Sequence, residues 1–316
     1  LVGAEARAIG YILRVRQRLL LGPLLIAFLV FGFWADERLD AAALPELLHR
    51  VFGGATTLPP GVLVFIVCAG LCVIASRELS AILREKGVLA SKRVMTASAG
   101  MGLLVSCLVP NSVPGVHVVA LVSTAGALVL SFSLLFYARH KTVEGVVAAA
   151  GGSLLAFVYL GLMFGFILAI RREHSGWVLM WVLLTTKASD IGAYFTGRSI
   201  GRRKLIPWLS PGKTWEGLCG GAVLAAVVGC VGIWALKRAD VAIEAPVWSG
   251  LVAGVLFGLL GQLGDLMASL LKRDAGIKDS GRVLPGFGGL LDVLDSPLLV
   301  APLAFWWLWA WHTPVT

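Results

Sequence analysis

Charge is scarce in this chain. Only 14% of its 316 residues are Asp, Glu, Lys or Arg, while 58% are hydrophobic and the mean hydropathy is +0.87. A soluble domain of this length needs far more polar surface, so the bilayer is the expected solvent. Paired cysteine is missing as well. Cys68, Cys72, Cys107, Cys219 and Cys230 all fall in apolar stretches and no two form a Cys-x-x-Cys. Neither a disulfide framework nor a zinc site is indicated. The net charge of +9 is not gathered into a block, because the cations lie in short loops between apolar runs. That pattern suits membrane topology and anionic lipid, so no nucleic-acid partner is expected. Neither an internal repeat nor a soluble domain is visible.

Long apolar runs and glycine are what the chain has in quantity. A helix needs roughly 20 mostly apolar residues to cross the hydrocarbon core. Candidate spans lie near 19–35, 60–76, 94–109, 116–138, 145–170, 177–196, 217–236, 247–271 and 296–312. The expected fold is therefore all-α: an integral membrane, polytopic bundle of about nine transmembrane helices. Glycine spaced four apart, as in Gly250, Gly254 and Gly258 or Gly161 and Gly165, predicts close helix packing. Arg14, Arg16 and Arg18 precede the first span like a signal-peptide leader, but no small-residue cleavage site follows, so a retained span is expected.

Basic residues in alternate loops set the orientation. With the N-terminus cytoplasmic, the inner segments carry 20 Lys and Arg and the outer ones 6. Trp34, Trp177, Trp181, Trp234, Trp248, Trp306, Trp307, Trp309 and Trp311 fall at or near the outer ends, as an aromatic belt would; Trp208 and Trp215 belong to a cytoplasmic loop. The longest outer loop, 36–59, has room for a short interfacial helix around Leu44–Val51.

The first five spans, within 1–176, are nearly free of internal charge and read as a lipid-facing scaffold. From 177 to 316 the character changes. Lys187, Asp190 and Tyr194 occupy the inner half of span six. A basic loop follows, with Arg198, Arg202, Arg203, Lys204 and the run Ser210-Pro-Gly-Lys-Thr-Trp-Glu216. Its Gly-Lys-Thr triplet lacks the spacing and preceding strand of a P-loop. Span eight ends in Gln262, Gly264 and Asp265; if the helix continues, Asp265, Ser269 and Lys272 share a face. Asp292 and Asp295 share one in the same way if the last helix begins early. Ionisable groups inside a membrane are costly and normally functional. Carboxylates gathered with lysines, arginines and glycine turns on one side of the membrane suit a divalent metal and phosphate.

The stretch Ser269-Leu-Leu-Lys-Arg-Asp-Ala-Gly-Ile-Lys-Asp-Ser-Gly-Arg-Val-Leu-Pro-Gly-Phe-Gly-Gly-Leu-Leu-Asp-Val-Leu-Asp295 resembles the signature of the phosphatidate cytidylyltransferase family. Gly264-Asp265, Ser210-Pro-Gly-Lys-Thr-Trp-Glu-Gly217 and Asp190-Ile-Gly-Ala-Tyr194 match further blocks of that family, in order. The resemblance is strong over about 185–300 and rests on span count before that. It implies a reaction of CTP with phosphatidic acid that yields CDP-diacylglycerol and pyrophosphate. Asp265 and Asp292 map onto the family's metal-binding aspartates, for magnesium with room for a second cation. Lys272, Asp279, Asp295 and Asp190 would be catalytic. Ser210, Lys213, Thr214, Ser269, Arg273, Lys278, Gly288 and Gly289 would bind substrate. Two positions depart from the family pattern: Phe287 replaces a histidine and Val293 an arginine. Phenylalanine donates no hydrogen bond, and losing the arginine removes a bidentate phosphate contact. All the motif's aspartates are present.

Location in the cell's inner membrane, with the active site facing the cytoplasm, follows from the same reading. Membrane lipid is then a necessary partner and a homodimer a compatible one. Three rivals stand beside it, one of them a structural scaffold with a decayed site, which the intact acidic residues oppose. A related CTP-using enzyme could take another lipid acceptor, such as an archaeol-type phosphate or a polyprenol. An ion-coupled transporter would place its charges near mid-membrane and pair broken helices in two halves; here the charges gather at one interface.

Overall fold

The computed structural model describes residues 24, 26–40, 42–43, 56–108, 115–139, 143–281 and 288–311. Among them nine helices form, in chain order: α1 (26–40), α2 (Val62–Glu85), α3 (Lys92–Leu108), α4 (Gly115–Ala138), α5 (Val146–Glu173), α6 (Gly176–Ile200), α7 (Trp215–Arg238), α8 (Ser249–Asp274) and α9 (Leu291–Ala310). Each coincides with one expected span. Six of them (α2, α4, α5, α7, α8 and α9) are long and apolar enough to cross a membrane. The chain is a polytopic membrane protein. Of the other three, α3 has 17 residues and α6 carries Lys187, Asp190 and Arg198. The leader-like arginines and the segment Leu44–Val51 lie outside the described residues.

The helices overrun the apolar runs at one end. α2 continues to Glu85 because Ala75, Leu79 and Ile82 keep its buried face going past the hydrophobic stretch. α8 continues to Asp274, and α9 begins at Leu291, five residues before the expected span. One region is not helical. The basic loop folds into a two-stranded antiparallel hairpin, β1 (Lys204–Ile206) with β2 (Ser210–Thr214), pairing Lys204 with Thr214 and Ile206 with Ser210. This corrects the all-α expectation locally: the Ser-Pro-Gly-Lys-Thr run is a strand entering a helix.

Glycine sets the helix spacing, as its four-residue period predicted. A methyl at Gly161 would stand 2.8 Å from the Gly102 Cα, and one at Gly250 2.7 Å from the Cys230 Cα, so α5 meets α3 and α8 meets α7 at backbone contact. α5 holds a π-helical stretch, Ala156–Leu162, at its crossing with α3. α6 packs along α7, α7 along α8, and α8 along α9.

The tryptophan belt is only partly a belt. Trp34, Trp234, Trp248, Trp306 and Trp309 are exposed, but Trp181 and Trp307 are buried with Phe257 in one aromatic cluster. The Trp181 Nε1–H donates to the Gly229 carbonyl at 3.0 Å, which lets an indole sit in the core.

Candidate active site

α6 and α8 end, and α7 and α9 begin, around one cavity of about 680 Å³. Four elements bring its polar groups together. α6 brings Lys187, Asp190, Tyr194 and Arg198; the hairpin brings Ser210, Lys213 and Thr214; α8 brings Gln262 and Asp265; α9 brings Asp292, Asp295 and Ser296.

Local structure explains their aim. Thr214 is the extended N-cap of α7, and its hydroxyl accepts the Gly217 amide at 3.1 Å. Glu216 accepts the amides of Arg202 and Arg203, tying the hairpin's entry to the same helix start. Lys213, one residue before the cap, therefore points across the cavity mouth to α8. Its Nζ lies 2.7 Å from Asp265 Oδ2 and donates to the Gln262 carbonyl at 3.1 Å. The Gln262 amide continues the chain, donating to Asp190 Oδ1 at 2.9 Å. Lys187 reaches Asp190 Oδ2 at 3.1 Å. On the far wall Lys272 Nζ donates to Asp292 Oδ1 at 2.6 Å. Lysines and aspartates thus alternate around the cavity, beside the amide-bearing start of α7, where anions are favoured.

Gly264 explains one motif position. A methyl there would stand 3.1 Å from the Ser296 Cα, so a glycine lets α9 press its Asp295 turn against α8. Asp295 is buried and its carboxylate accepts the Ser296 amide and hydroxyl. The neighbouring Pro297, inside the helix, has no N–H to give to the carbonyl one turn back.

The structure brings Asp190, Ser210, Lys213, Thr214, Asp265, Asp292 and Asp295 to the cavity wall, with Lys272 bound to Asp292 behind it. Ser269 is half-buried on α8, one turn past Asp265, and outside the lining. Arg273, Lys278 and Asp279 are exposed beyond it, on the way to residues 282–287, which lie outside those described; so does Phe287. Gly288, at φ +96°, and Gly289 deliver their turn onto Asp292, with the Gly289 amide 2.9 Å from Oδ2. Val293 is half-buried on α9.

Sequence reasoning passed over Gln262 and Arg198 as ligands, and it passed over Glu78 altogether. Glu78 lies on α2, in what reads as a loop because the apolar run stops at about residue 76; only the helical period of Ala75, Leu79 and Ile82 would have exposed it as an interior carboxylate.

Oxygen donors suit magnesium, which keeps several waters and takes one or two carboxylates together with substrate phosphates. Asp265, Asp292 and Asp295, all lining the cavity, fit that mode. Among the described residues no three acidic, histidine or cysteine side chains converge into a ready-made cage.

Comparison with known proteins fits this geometry. The model of the Cytidylyltransferase family matches residues 47–311, which include every cavity-lining group. A Staphylococcus aureus protein named phosphatidate cytidylyltransferase is 34% identical over 248 residues, 78% of this chain and 90% of its own length. A Staphylococcus haemolyticus protein of the same name is 36% identical over 176 residues, 56% of this chain and 65% of that protein. The Escherichia coli protein YnbB, named as uncharacterized, is 38% identical over 162 residues, 46% of this chain; the match spans about half of YnbB, 52% of it. With most of its length matched, from α2 through the whole site, the chain belongs to the cytidylyltransferase family.

Proposed function

We propose that the protein joins CTP to phosphatidic acid, forming CDP-diacylglycerol and pyrophosphate at the cytoplasmic face of the cell's inner membrane. The observation that carries this is one cavity in which four aspartates, two lysines, an arginine and a helix start meet at the ends of membrane helices. A lipid phosphate lies at headgroup level, and a water-soluble triphosphate arrives from the aqueous side. Nine crossings with a cytoplasmic N-terminus, the orientation that the excess of basic residues in alternate loops supports, would put the cavity inside. In this reading 1–176 supply the scaffold and 177–316 the chemistry.

A phosphate oxygen of the lipid attacks the α-phosphorus of CTP. The bond from that phosphorus to the β-phosphate oxygen breaks and the electrons leave with pyrophosphate. A phosphomonoester has a second pKa of about 6, so the nucleophile is already largely ionised and needs no strong general base. The obstacle is repulsion between two anions and charge on the leaving group. Lys213, Lys187 and Arg198 surround the triphosphate, and the amide-bearing start of α7 takes one of its oxygens. Lys272 and Arg273 neutralise the lipid side. Asp265 and Asp292, with Asp295 behind them, would hold magnesium, which when bound supplies further charge neutralisation. Asp190 orients Lys187 and Gln262. Lys213 and Lys272, paired here with Asp265 and Asp292, would be the cations left to phosphate when those carboxylates hold a metal.

Pyrophosphate release from the purified protein in detergent tests the reading. Release is expected only with CTP, phosphatidic acid and magnesium together, and Asp265→Asn should abolish it. Release with another lipid phosphate, and none with phosphatidic acid, would move the acceptor and overturn that part of the assignment. Val293 in place of the family arginine is where such a change would originate.

A further inference from the structure

Glu78 takes no part in the chemistry above, yet it is buried and its carboxylate is fully engaged. From α2 it reaches the far end of the chain. Oε1 accepts the Leu290 amide at 2.9 Å; Oε2 accepts the Leu291 amide at 2.8 Å and the Ser280 hydroxyl at 3.1 Å. The two amides are first-turn N–H groups of α9, which a helix start leaves unpaired and where negative charge is favoured. No side chain of α9's own N-cap residue, Leu290, supplies the cap. The surroundings leave room for the carboxylate: a methyl at Gly281 would stand 2.6 Å from Oε1, and one at Gly289 2.7 Å from Oε2.

The same two segments hold Asp292. Ser280 and Gly289 donate their amides to Asp292 Oδ2, at 3.0 and 2.9 Å. Ser280 therefore gives its hydroxyl to Glu78 and its amide to Asp292, and Gly289 packs on one carboxylate while bonding the other. A plain helix cap needs one acceptor. Glu78 instead spends both oxygens on three donors from two segments, and a buried carboxylate is tolerated only when so bonded.

We propose that Glu78 is a positioning residue of the active site: it fixes the start of α9 with the 280–281 and 289–291 backbone, and so sets the direction of Asp292 and Asp295. This rests on the reading of Asp292 as a metal and phosphate residue. It makes α2, in the N-terminal half, a working part of a site whose lining comes from the C-terminal helices.

Glu78→Gln is the test, because it keeps the volume but turns one acceptor into an amide donor facing a backbone N–H. Ser280→Ala is the milder partner, removing only the hydroxyl link. Three readings are taken on the full chain in detergent: hydrogen exchange of peptides covering Ser280 and Gly289–Leu291, manganese binding by electron paramagnetic resonance, and the magnesium dependence of pyrophosphate release. For Glu78→Gln we expect faster exchange confined to those peptides, with α2 keeping its parental exchange. Manganese affinity should fall about tenfold, and half-saturating magnesium should rise about tenfold, as outer-shell losses do. Ser280→Ala should shift in the same direction by less. Parental exchange at 289–291, or parental manganese affinity in a folded Glu78→Gln protein, overturns the proposal. A parent chain that releases no pyrophosphate would defeat the functional reading alone, since exchange and manganese binding still decide the role of Glu78.

Discussion

Two charge clusters stand at opposite ends of this helix bundle, and they differ in what surrounds them. At one end Asp36 and Asp40 of α1 grip Arg171 of α5. Asp36 is 0% exposed and Arg171 3%. Asp36 Oδ1 also accepts the amides of Leu63 and Val64, the first turn of α2, at 2.9 and 3.2 Å. At the other end, about 20 Å away along α6 from Gly176 to Asp190 at ~1.5 Å per residue, the Lys213–Asp265 and Lys187–Asp190 pairs line an open cavity. There Asp265 is 37% exposed and Asp190 33%. The sealed cluster has spent its hydrogen-bonding capacity on protein. The open one keeps carboxylate oxygens facing space large enough for a nucleotide. Charge in this bundle therefore marks substrate chemistry only where the groups also face a void.

The largest separation between the two ends should come from removing a carboxylate at the open one. Asp292→Asn is expected to lower pyrophosphate release about 10³-fold, on the order of 4 kcal/mol of transition-state stabilisation. The melting temperature should also fall, by less than in Arg171→Leu: Lys272 loses its anion, while the amide oxygen still accepts from Ser280 and Gly289. Steady-state rates beside a thermal melt check both halves. Arg171→Leu should reverse that balance. It leaves Asp36 buried without its cation, a loss of about 3–5 kcal/mol, read as a lower melting temperature and a smaller folded yield. The folded fraction should keep its specific activity within about twofold. Loss of activity without loss of stability in Arg171→Leu would erase the distinction.

Lys213→Met sharpens the contrast within the open end. Its ammonium bridges the hairpin to Asp265 and Gln262 at the mouth of the cavity. Removing one phosphate-facing cation should cost about 10²-fold in kcat/KM for CTP, roughly 2.7 kcal/mol. The effect should fall on the nucleotide and leave the lipid's KM within a few-fold. An equal rise in both KM values would place Lys213 between the substrates instead of on the triphosphate.

How far the sequence could be read follows from the same contrast. Each of the nine apolar runs became a helix, because in lipid a backbone must satisfy its own polar groups and length alone selects the spans. Asp265, Asp292 and Lys213 were legible because polar residues in an apolar context stand out, and their order matched a known signature. Glu78 was not, because its ligands lie more than 200 residues on and no local pattern announces a contact at that separation. The Asp36–Arg171 pair was counted as loop charge for the same reason. The hairpin was missed because Ser-Pro-Gly-Lys-Thr has none of the alternating apolar pattern that marks a strand; its pairing is fixed by Glu216 and the Thr214 cap. Trp181 and Trp307 were placed in the belt by position alone, and only packing against Phe257 distinguishes them.

Trp181 provides the finest test of the comparison, since it lies on α6 six residues before Lys187, in the core and outside the cavity lining. Trp181→Phe removes one buried hydrogen bond, to Gly229, and part of a ring that touches Phe257 and Trp307. A hydrogen bond of this kind contributes about 1 kcal/mol, and the Gly229 carbonyl retains its place in the α7 ladder. A modest fall in melting temperature is expected, with kcat and both KM values at parental levels. If activity dropped while the melt stayed put, α6 would be transmitting packing at its outer half to Lys187 and Asp190. The sealed and open ends would then be one mechanical unit, joined by the helix that runs between them.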